Sequence, residues 1–321
     1  MQNKLQTKIE KDKLKEPSTN PLVSVIVITY NSSKYVLETL ESTKSQTYHN
    51  IELIISDDCS TDNTFEICSN WINENKSRFV RSELITTEKN SGVAYNCNRG
   101  LFVAKGQWLK FIAGDDILLN NCILRNLLNV NHKNNCTLIF SKSIVFDTFS
   151  QDKIYIKPDA KFILPVGFRN QLKQILKKDF VNTPTCFILR ETILKLGGFD
   201  TRFPFMEDYP MWLKFLQDSN EIFYFPEITV KYRITNSSLS NCKNSISGIN
   251  NLWIQSRYNF YKTIIIPELK NNNMYLSSFL NNLDFFIIKR RMISQTVLSI
   301  FIYRAFGRLI YVINRINRWY I

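Results

Sequence analysis

Leu22–Thr29 reads LVSVIVIT, and the polar tetrapeptide Tyr30-Asn31-Ser32-Ser33 follows it directly. A nearly unbroken β-branched run of this length is the pattern of a strand covered on both faces, since a half-exposed strand would alternate apolar with polar residues. The tetrapeptide holds turn and capping residues, and a short helical pattern continues through Val36, Leu37 and Leu40. Outward from this strand the unit repeats. Ile51–Ser56 (IELIIS) ends in Asp57-Asp58, and Thr61, Asp62 and Asn63 lead into a helix carrying Phe65, Ile67, Cys68 and Trp71. Phe79–Ile85 reads as a strand, Val93–Ala104 as a helix, and Trp108–Ile112 as a strand ending in Gly114-Asp115-Asp116. Ile117–Val130 has a helical pattern and Thr137–Phe146 a strand pattern. Such alternation predicts an α/β fold with a mostly parallel central sheet and helices on both faces.

Past residue 147 the rhythm loosens. A helical stretch spans Phe168–Lys178, Thr185–Leu189 reads as a strand, and Gly197-Gly198-Phe199-Asp200 makes a turn. Glu207-Asp208 precedes an aromatic-rich helix beginning near Tyr209, Ile222–Phe225 and Thr229–Arg233 read as two strands, and the chain after 250 is helical in pattern.

Composition narrows the function. With 321 residues, 44% of them hydrophobic, the chain can bury a large core and is not a disordered protein. Its net charge of +13 suits an anionic partner, but the excess is uneven. Residues 284–321 hold Lys289, Arg290, Arg291, Arg304, Arg308, Arg315 and Arg318 against Asp284 alone. Seven scattered cysteines with no CxxC spacing argue against a disulfide framework or a cysteine zinc site, and favour a reducing compartment. The first 20 residues lack the apolar core of a secretory signal, and Met292–Tyr303 is too short for a bilayer span. No glycine follows the first strand, where a dinucleotide-binding fold would need GxGxxG.

The acidic pairs carry the chemistry. In open α/β sheets ligands bind beyond the carboxyl ends of the strands, where Asp57-Asp58 and Asp115-Asp116 stand. Adjacent carboxylates resist desolvation, and a divalent cation or a tightly bound polar ligand would offset that cost. Mg²⁺ or Mn²⁺ suits such oxygen ligands, with phosphates and water completing the shell, as for a nucleoside diphosphate. The rival reading is that Asp57, Asp58 and Asp62 cap the following helix.

Taken together, VSVIVITYN (Val23–Asn31), DDCSTDNT (Asp57–Thr64), NSGVAYNCNRG (Asn90–Gly100), GDD (Gly114–Asp116), GGFD (Gly197–Asp200) and ED (Glu207-Asp208) resemble the family 2 glycosyltransferases, in that order and at that spacing. The resemblance covers Val23 to about Ser240. It implies a GT-A nucleotide-sugar-binding fold and an inverting, metal-dependent sugar transfer. The donor would be a nucleotide-sugar, by default a UDP-sugar. The acceptor would be a saccharide or a polyprenyl-linked oligosaccharide, in bacterial lipopolysaccharide, O-antigen or capsule assembly. By the same resemblance Thr29, Tyr30, Asn31, Asp57, Asp58 and Asn90 border the nucleotide, Asp115 stands near the sugar or ribose, and Asp116 binds Mn²⁺ or Mg²⁺. Asp208 is the general base with Glu207 beside it, and Arg233 or nearby serines meet phosphate. One carboxylate to deprotonate the acceptor and a metal for the leaving diphosphate are what such a transfer needs. A capping role for Asp208, with Pro210 in the first turn, is compatible with this.

Three positions depart from the family pattern. Ala113 stands where many members carry the first acid of DxDD, and Cys97 replaces the arginine of an ARN segment, so that another cation must substitute. Thr235 replaces the histidine of a YRxHxxSxS-like segment, and His49 and His132, the only histidines, lie elsewhere. Phe162, Phe168, Phe180, Phe203, Phe205, Met206 and Trp212 could line an acceptor groove or belong to the core. The expected organisation is a polar lead-in (1–20), a GT-A domain (21–240) and a helical, basic amphipathic region (241–321). Arg304, Arg308, Arg315 and Arg318 share one helical face, which suits either an anionic membrane or simple docking on the core. A cytoplasmic protein is expected, with a peripheral place on the inner membrane left open by the tail. Two other classes compete with it: a catalytically silent GT-A-like scaffold, and a basic nucleic-acid-binding protein, for which no compact cationic platform is visible.

Overall fold

The structure, a computed structural model, describes residues 20–147, 155–159, 161–235 and 248–274. Strand β1 (Val23–Thr29) is buried at six of its seven residues. Helix α1 (Val36–Lys44) buries Val36, Thr39, Leu40 and Thr43, one face at helical spacing. Then come β2 (Ile51–Asp57), α2 (Thr64–Asn75), β3 (Arg81–Ile85), α3 (Val93–Val103) and β4 (Trp108–Ala113). The four strands pair in parallel, β2 and β4 flanking β1, with β3 outside β2. Their register aligns Thr29 with Asp57 and Ile28 with Ala113, so the three carboxyl ends meet at one rim. The β-branched runs form this half locally, and the sheet buries them on both sides. Ile26 joins a core with Leu101 of α3, while Val25 and Val27 join a second core with Leu40 and Trp71 of α1 and α2.

The second half departs from the simple alternation. Ile117–Val130 is not one helix: β5 (Ile117–Leu118) comes first and α4 (Ile123–Asn134) starts later. The reason is tertiary, since Ile117 and Leu118 pair antiparallel with a strand more than a hundred residues away. After β6 (Leu138–Asp147), β7 (Tyr155–Lys157) and α5 (Phe168–Lys177), a 3₁₀ turn at Thr183–Thr185 shortens the expected strand to β8 (Phe187–Leu189). Helices α6 (Arg190–Lys195) and α7 (Asp208–Gln217) follow. The two strands expected at 222–233 are one, β9 (Phe223–Ile234), carrying a bulge opposite Ser141–Ser143. Pro226 sits in that bulge because it has no N–H to give the ladder. Helix α8 (Gly248–Phe260) continues through a π-helical turn at Tyr261–Ile265 into α9 (Ile266–Asn271).

The sheet order is β3-β2-β1-β4-β8-β6-β9-β5, with β7 on β6. β8 is antiparallel to both neighbours, which leaves β1–β4, β6 and β9 running one way and β5, β7 and β8 the other. The expected mostly parallel α/β sheet is therefore present. Helix α7 buries Tyr209, Met211, Trp212, Leu213, Phe215 and Leu216, which makes it a helix inside the core rather than on it. Among the described residues no helix is long and apolar enough to cross a membrane. The arginine face at 304–318 lies outside the described residues.

Candidate active site

Asp57 and Asp58 are satisfied by donors of the protein itself. Thr29 Oγ1 donates to Asp57 Oδ1 at 2.8 Å, Ser60 Oγ to the same oxygen at 2.6 Å, and Ser60 N to Oδ2 at 2.8 Å. That carboxylate stitches β1 to β2 and folds the turn behind it, so no cation is needed to offset its burial. Asn31, at φ 51°, accepts the Thr61 amide at 2.8 Å on its side-chain oxygen and gives its own amide to Ser60 Oγ at 2.8 Å. Tyr30 and Asn31 remain exposed on the rim. Asp62 accepts the Thr64 amide at 3.0 Å, serving the start of α2 as its capping reading proposed.

Asp58 reaches the other way. Its Oδ1 lies 2.6 Å from Arg99 Nη2, and its Oδ2 accepts the Gly92 amide at 2.8 Å and the Ser91 amide at 3.1 Å. Asn90 is exposed and turns its side-chain oxygen to the Gly92 amide at 3.1 Å. Arg99 is thus the cation that stands where Cys97 provides none, since Cys97 is core and only 2% exposed. Gly92 itself has φ +95°, and a Cβ there would meet the Pro204 carbonyl oxygen at 2.5 Å. Gly92→Ala is expected to cost about 1–3 kcal/mol through overpacking and backbone strain. A fall in Tm with weakened UDP binding in calorimetry would show it, and an unchanged pair of values would refute it.

The second acidic pair is different. Asp116 is 1% exposed; its Oδ1 accepts the Arg233 amide at 2.9 Å, and its main-chain oxygen accepts Thr39 Oγ1 at 2.7 Å. Its Oδ2 is buried with no hydrogen-bond partner. Burial, then the charge of Asp115, hold its carboxyl well above the usual range. Burial likewise pushes Asp115 up to about 6, with Arg233 pulling it back. Arg233 turns its side chain to the protein: Nε donates to the Asp115 carbonyl at 2.8 Å, Nη2 meets Glu38 at 2.8 Å, and the guanidinium lies 4.3 and 4.7 Å from the Tyr35 and Phe146 ring centres. The structure therefore places Arg233 behind the Asp115-Asp116 turn, as the group that holds it. Ser237–Ser240, the other candidate phosphate contacts, lie outside the described residues.

An orphaned oxygen beside a second half-buried carboxylate fits a divalent cation. Asp115 and Asp116 would hold it. Among the described residues no group of three or more His, Cys, Asp or Glu side chains is placed to bind a metal, so the rest of the shell would be phosphate and water oxygens.

A third station begins at α7. Asp208 Oδ1 accepts the Tyr209 amide at 2.7 Å, and both Asp208 and Glu207 are half-buried. Asp208 is raised by burial and partly pulled back by that amide and by the charge of Arg257. Glu207 is pushed up to about 8 by burial, then by the charges of Asp208 and Asp179. Asp179 is the member that sequence reading missed, because no motif surrounds it. It follows the basic end of α5, its Oδ1 accepts the Val181 amide at 3.1 Å, and burial and Asp208 hold its carboxyl well above the usual range. Arg257 was also invisible in sequence; its guanidinium lies 5.4 Å from the Trp253 and Tyr261 ring centres. Lys110 of β4 is fully buried, with Nζ donating to the Pro184 and Cys186 carbonyls, its charge felt by Asp116 and its pKa pushed down to about 8 by burial. Of the aromatic candidates for an acceptor groove, Phe203, Met206 and Trp212 are core, and Phe162, Phe168 and Phe180 pack half-buried against it.

Glu207 has a consequence for stability. In the unfolded chain it titrates near 4.5, so between that value and about 8 the folded state binds more protons. Stability must then fall as pH rises through this window. Glu207→Gln is expected to flatten that slope and raise Tm at neutral pH; parallel Tm–pH curves for the two proteins would contradict it.

With this geometry in view, the comparisons are consistent. The glycosyl transferase family 2 model matches residues 24–197. The chain is 30% identical over 224 residues to the UDP-Glc:alpha-D-GlcNAc-diphosphoundecaprenol beta-1,3-glucosyltransferase WfgD of Escherichia coli, covering 69% of this chain and 81% of that one. It is 29% identical over 226 residues to the putative teichuronic acid biosynthesis glycosyltransferase TuaG of Bacillus subtilis, covering 70% and 83%. Residues 1–349 of S. aureus TarS superpose with a TM-score of 0.55 at 20% identity, over 83% of this chain and 80% of that one, a likeness of fold.

Proposed function

This chain belongs to glycosyl transferase family 2 and is a glycosyltransferase of GT-A fold, and on that premise we propose that it transfers a sugar, with inversion, from a UDP-sugar to a hydroxyl of a saccharide or polyprenyl-linked saccharide in bacterial surface-polysaccharide assembly. The carrying observation is that two of the acidic stations stand in different states. Asp116 is buried with an oxygen left over beside the half-buried Asp115, and Asp208 is half-buried with a raised pKa. Asp208 takes the proton of the acceptor hydroxyl; the acceptor oxygen bonds to the anomeric carbon as the bond to the nucleoside diphosphate breaks on the opposite face. A divalent cation at Asp115 and Asp116 would neutralise charge on the departing diphosphate. Thr29, Tyr30, Asn31, Asp58 and Asn90 border the base and ribose, Asp57 shapes that border, and Arg233 holds the Asp115-Asp116 turn. The transferase domain spans 21–240, and the region 241–321 carries acceptor or membrane contacts on the cytoplasmic face. The name of WfgD supports a UDP-sugar and a diphosphate-linked lipid acceptor.

The test is a screen of nucleotide-sugars with Mn²⁺ or Mg²⁺ against free and lipid-linked oligosaccharides. Turnover of a UDP-sugar onto a saccharide is the expected result. Turnover confined to GDP- or dTDP-sugars would overturn the donor assignment, and retention of anomeric configuration in the product would overturn the mechanism.

A further inference from the structure

Residues 161–178 form an outward ridge that the transfer chemistry does not use. Phe162 and Leu164 point inward, Phe162 packing edge-on against Phe140 and Tyr224. Ile163 and Val166 point outward, 82% and 85% exposed, the largest exposures of any big apolar side chain among the described residues. Their projection is enforced. Gln171 Nε2 donates to the Pro165 carbonyl at 3.1 Å, and the Gly167 amide donates to Glu221 at 2.7 Å, so the loop is pinned from behind. Helix α5 then buries Gln171, Ile175 and Leu176. Its opposite side exposes Arg169, Lys173 and Lys177, one stripe at four-residue spacing. Lys161 and Lys178, both exposed, flank that stripe in the chain, and no carboxylate occurs between them in sequence. Of the flanking acids, Asp159 and Glu221 accept main-chain amides of Lys161 and Gly167, and Asp179 accepts that of Val181.

We infer that Ile163, Val166 and the basic stripe of α5 form a docking surface for an anionic lipid bilayer. Two rigidly held aliphatic side chains gain by entering the acyl boundary, and the cations beside them gain from negative headgroups. Nucleic acid would supply the charge but nothing for exposed aliphatic side chains. The placement also suits the site: α5 leads directly into Asp179, and Tyr209 Oη donates to the Ile175 carbonyl at 2.5 Å, tying α5 to the helix that begins with Asp208.

The test uses the full chain without donor or acceptor. Co-sedimentation with phosphatidylglycerol-containing vesicles is compared with pure phosphatidylcholine, at low and high salt, together with amide hydrogen exchange. Binding to the anionic vesicles, weakened by salt, with slowed exchange over 161–178, is expected. Each cation near the surface is worth a factor of about five. Lys173→Glu/Lys177→Glu, and separately Ile163→Asp/Val166→Asp, should each weaken binding about tenfold or more while leaving Tm unchanged, since all four side chains are exposed. Absence of vesicle binding, binding unaffected by both double variants, or protection confined to other segments such as 275–321 would each overturn it. So would binding to duplex nucleic acid without binding to vesicles. Failure here leaves sugar turnover intact, so the two readings fail separately.

Discussion

Asp208→Asn is expected to bind UDP as the native chain does and to lose kcat by about 10²–10⁴-fold, the usual contribution of a positioned general base. Asparagine keeps the volume of the side chain, and its oxygen can still accept the Tyr209 amide that holds Asp208 Oδ1 at 2.7 Å. The start of α7 should therefore persist, and calorimetry with UDP should give a Kd within about twofold of native. A base must be ionised to act, and burial raises the Asp208 pKa. The native rate should accordingly fall as pH drops through that raised value, and the variant should lack this acid limb. A variant at position 208 that retained more than a tenth of the native kcat would remove Asp208 from the mechanism.

Asp116→Asn should move activity and stability in opposite directions. Removing one group of a preorganised electrostatic site typically costs about 10²–10³-fold in kcat. Metal-dependent UDP binding should be lost with it. Yet the carboxyl of Asp116 is raised well above its ordinary range by burial and by Asp115, so near neutral pH its ionised form opposes folding. Asparagine removes that charge and retains an acceptor for the Arg233 amide at Oδ1. The metal-free variant should therefore melt higher than the metal-free native protein, as expected where function demands a strained group. Scanning calorimetry in chelator and UDP titrations with and without Mn²⁺ separate the two effects. A lower Tm with undiminished metal-dependent binding would contradict both halves of the argument.

Much of the fold could be read in advance, for local reasons. The β1–β4 half consists of apolar runs bounded by turn residues, and such runs form buried parallel strands wherever helices can cover them. Reading failed where distant pairing overrode local pattern. Ile117 and Leu118 are taken from a helical pattern by Lys231 and Val230, and Phe223–Ile234 is one strand because β6 pairs along its whole length, bulging where Pro226 interrupts. The acidic pairs were all visible as candidates, whereas Asp179 and the Arg233 partner Glu38 were not. Three other charges also lacked any sequence signal for their place: Arg99 against Asp58, Lys110 near Asp116, and Arg257 beside Asp179 and Asp208.

What the sequence determined by itself is the order of strands and helices at the rim and the presence of acids there, since both follow from near-neighbour pattern. It could not tell two similar acidic pairs apart. Asp57-Asp58 and Asp115-Asp116 look alike as dipeptides, yet Ser60, Thr29, Arg99 and the Gly92 amide satisfy the first. The second keeps an oxygen with no partner. Only the tertiary structure decides which carboxylates the protein neutralises and which it leaves for a ligand, because desolvation and Coulomb energy depend on distance in space. Arg233 lies 117 residues beyond Asp116 in the chain and yet gives it an amide at 2.9 Å.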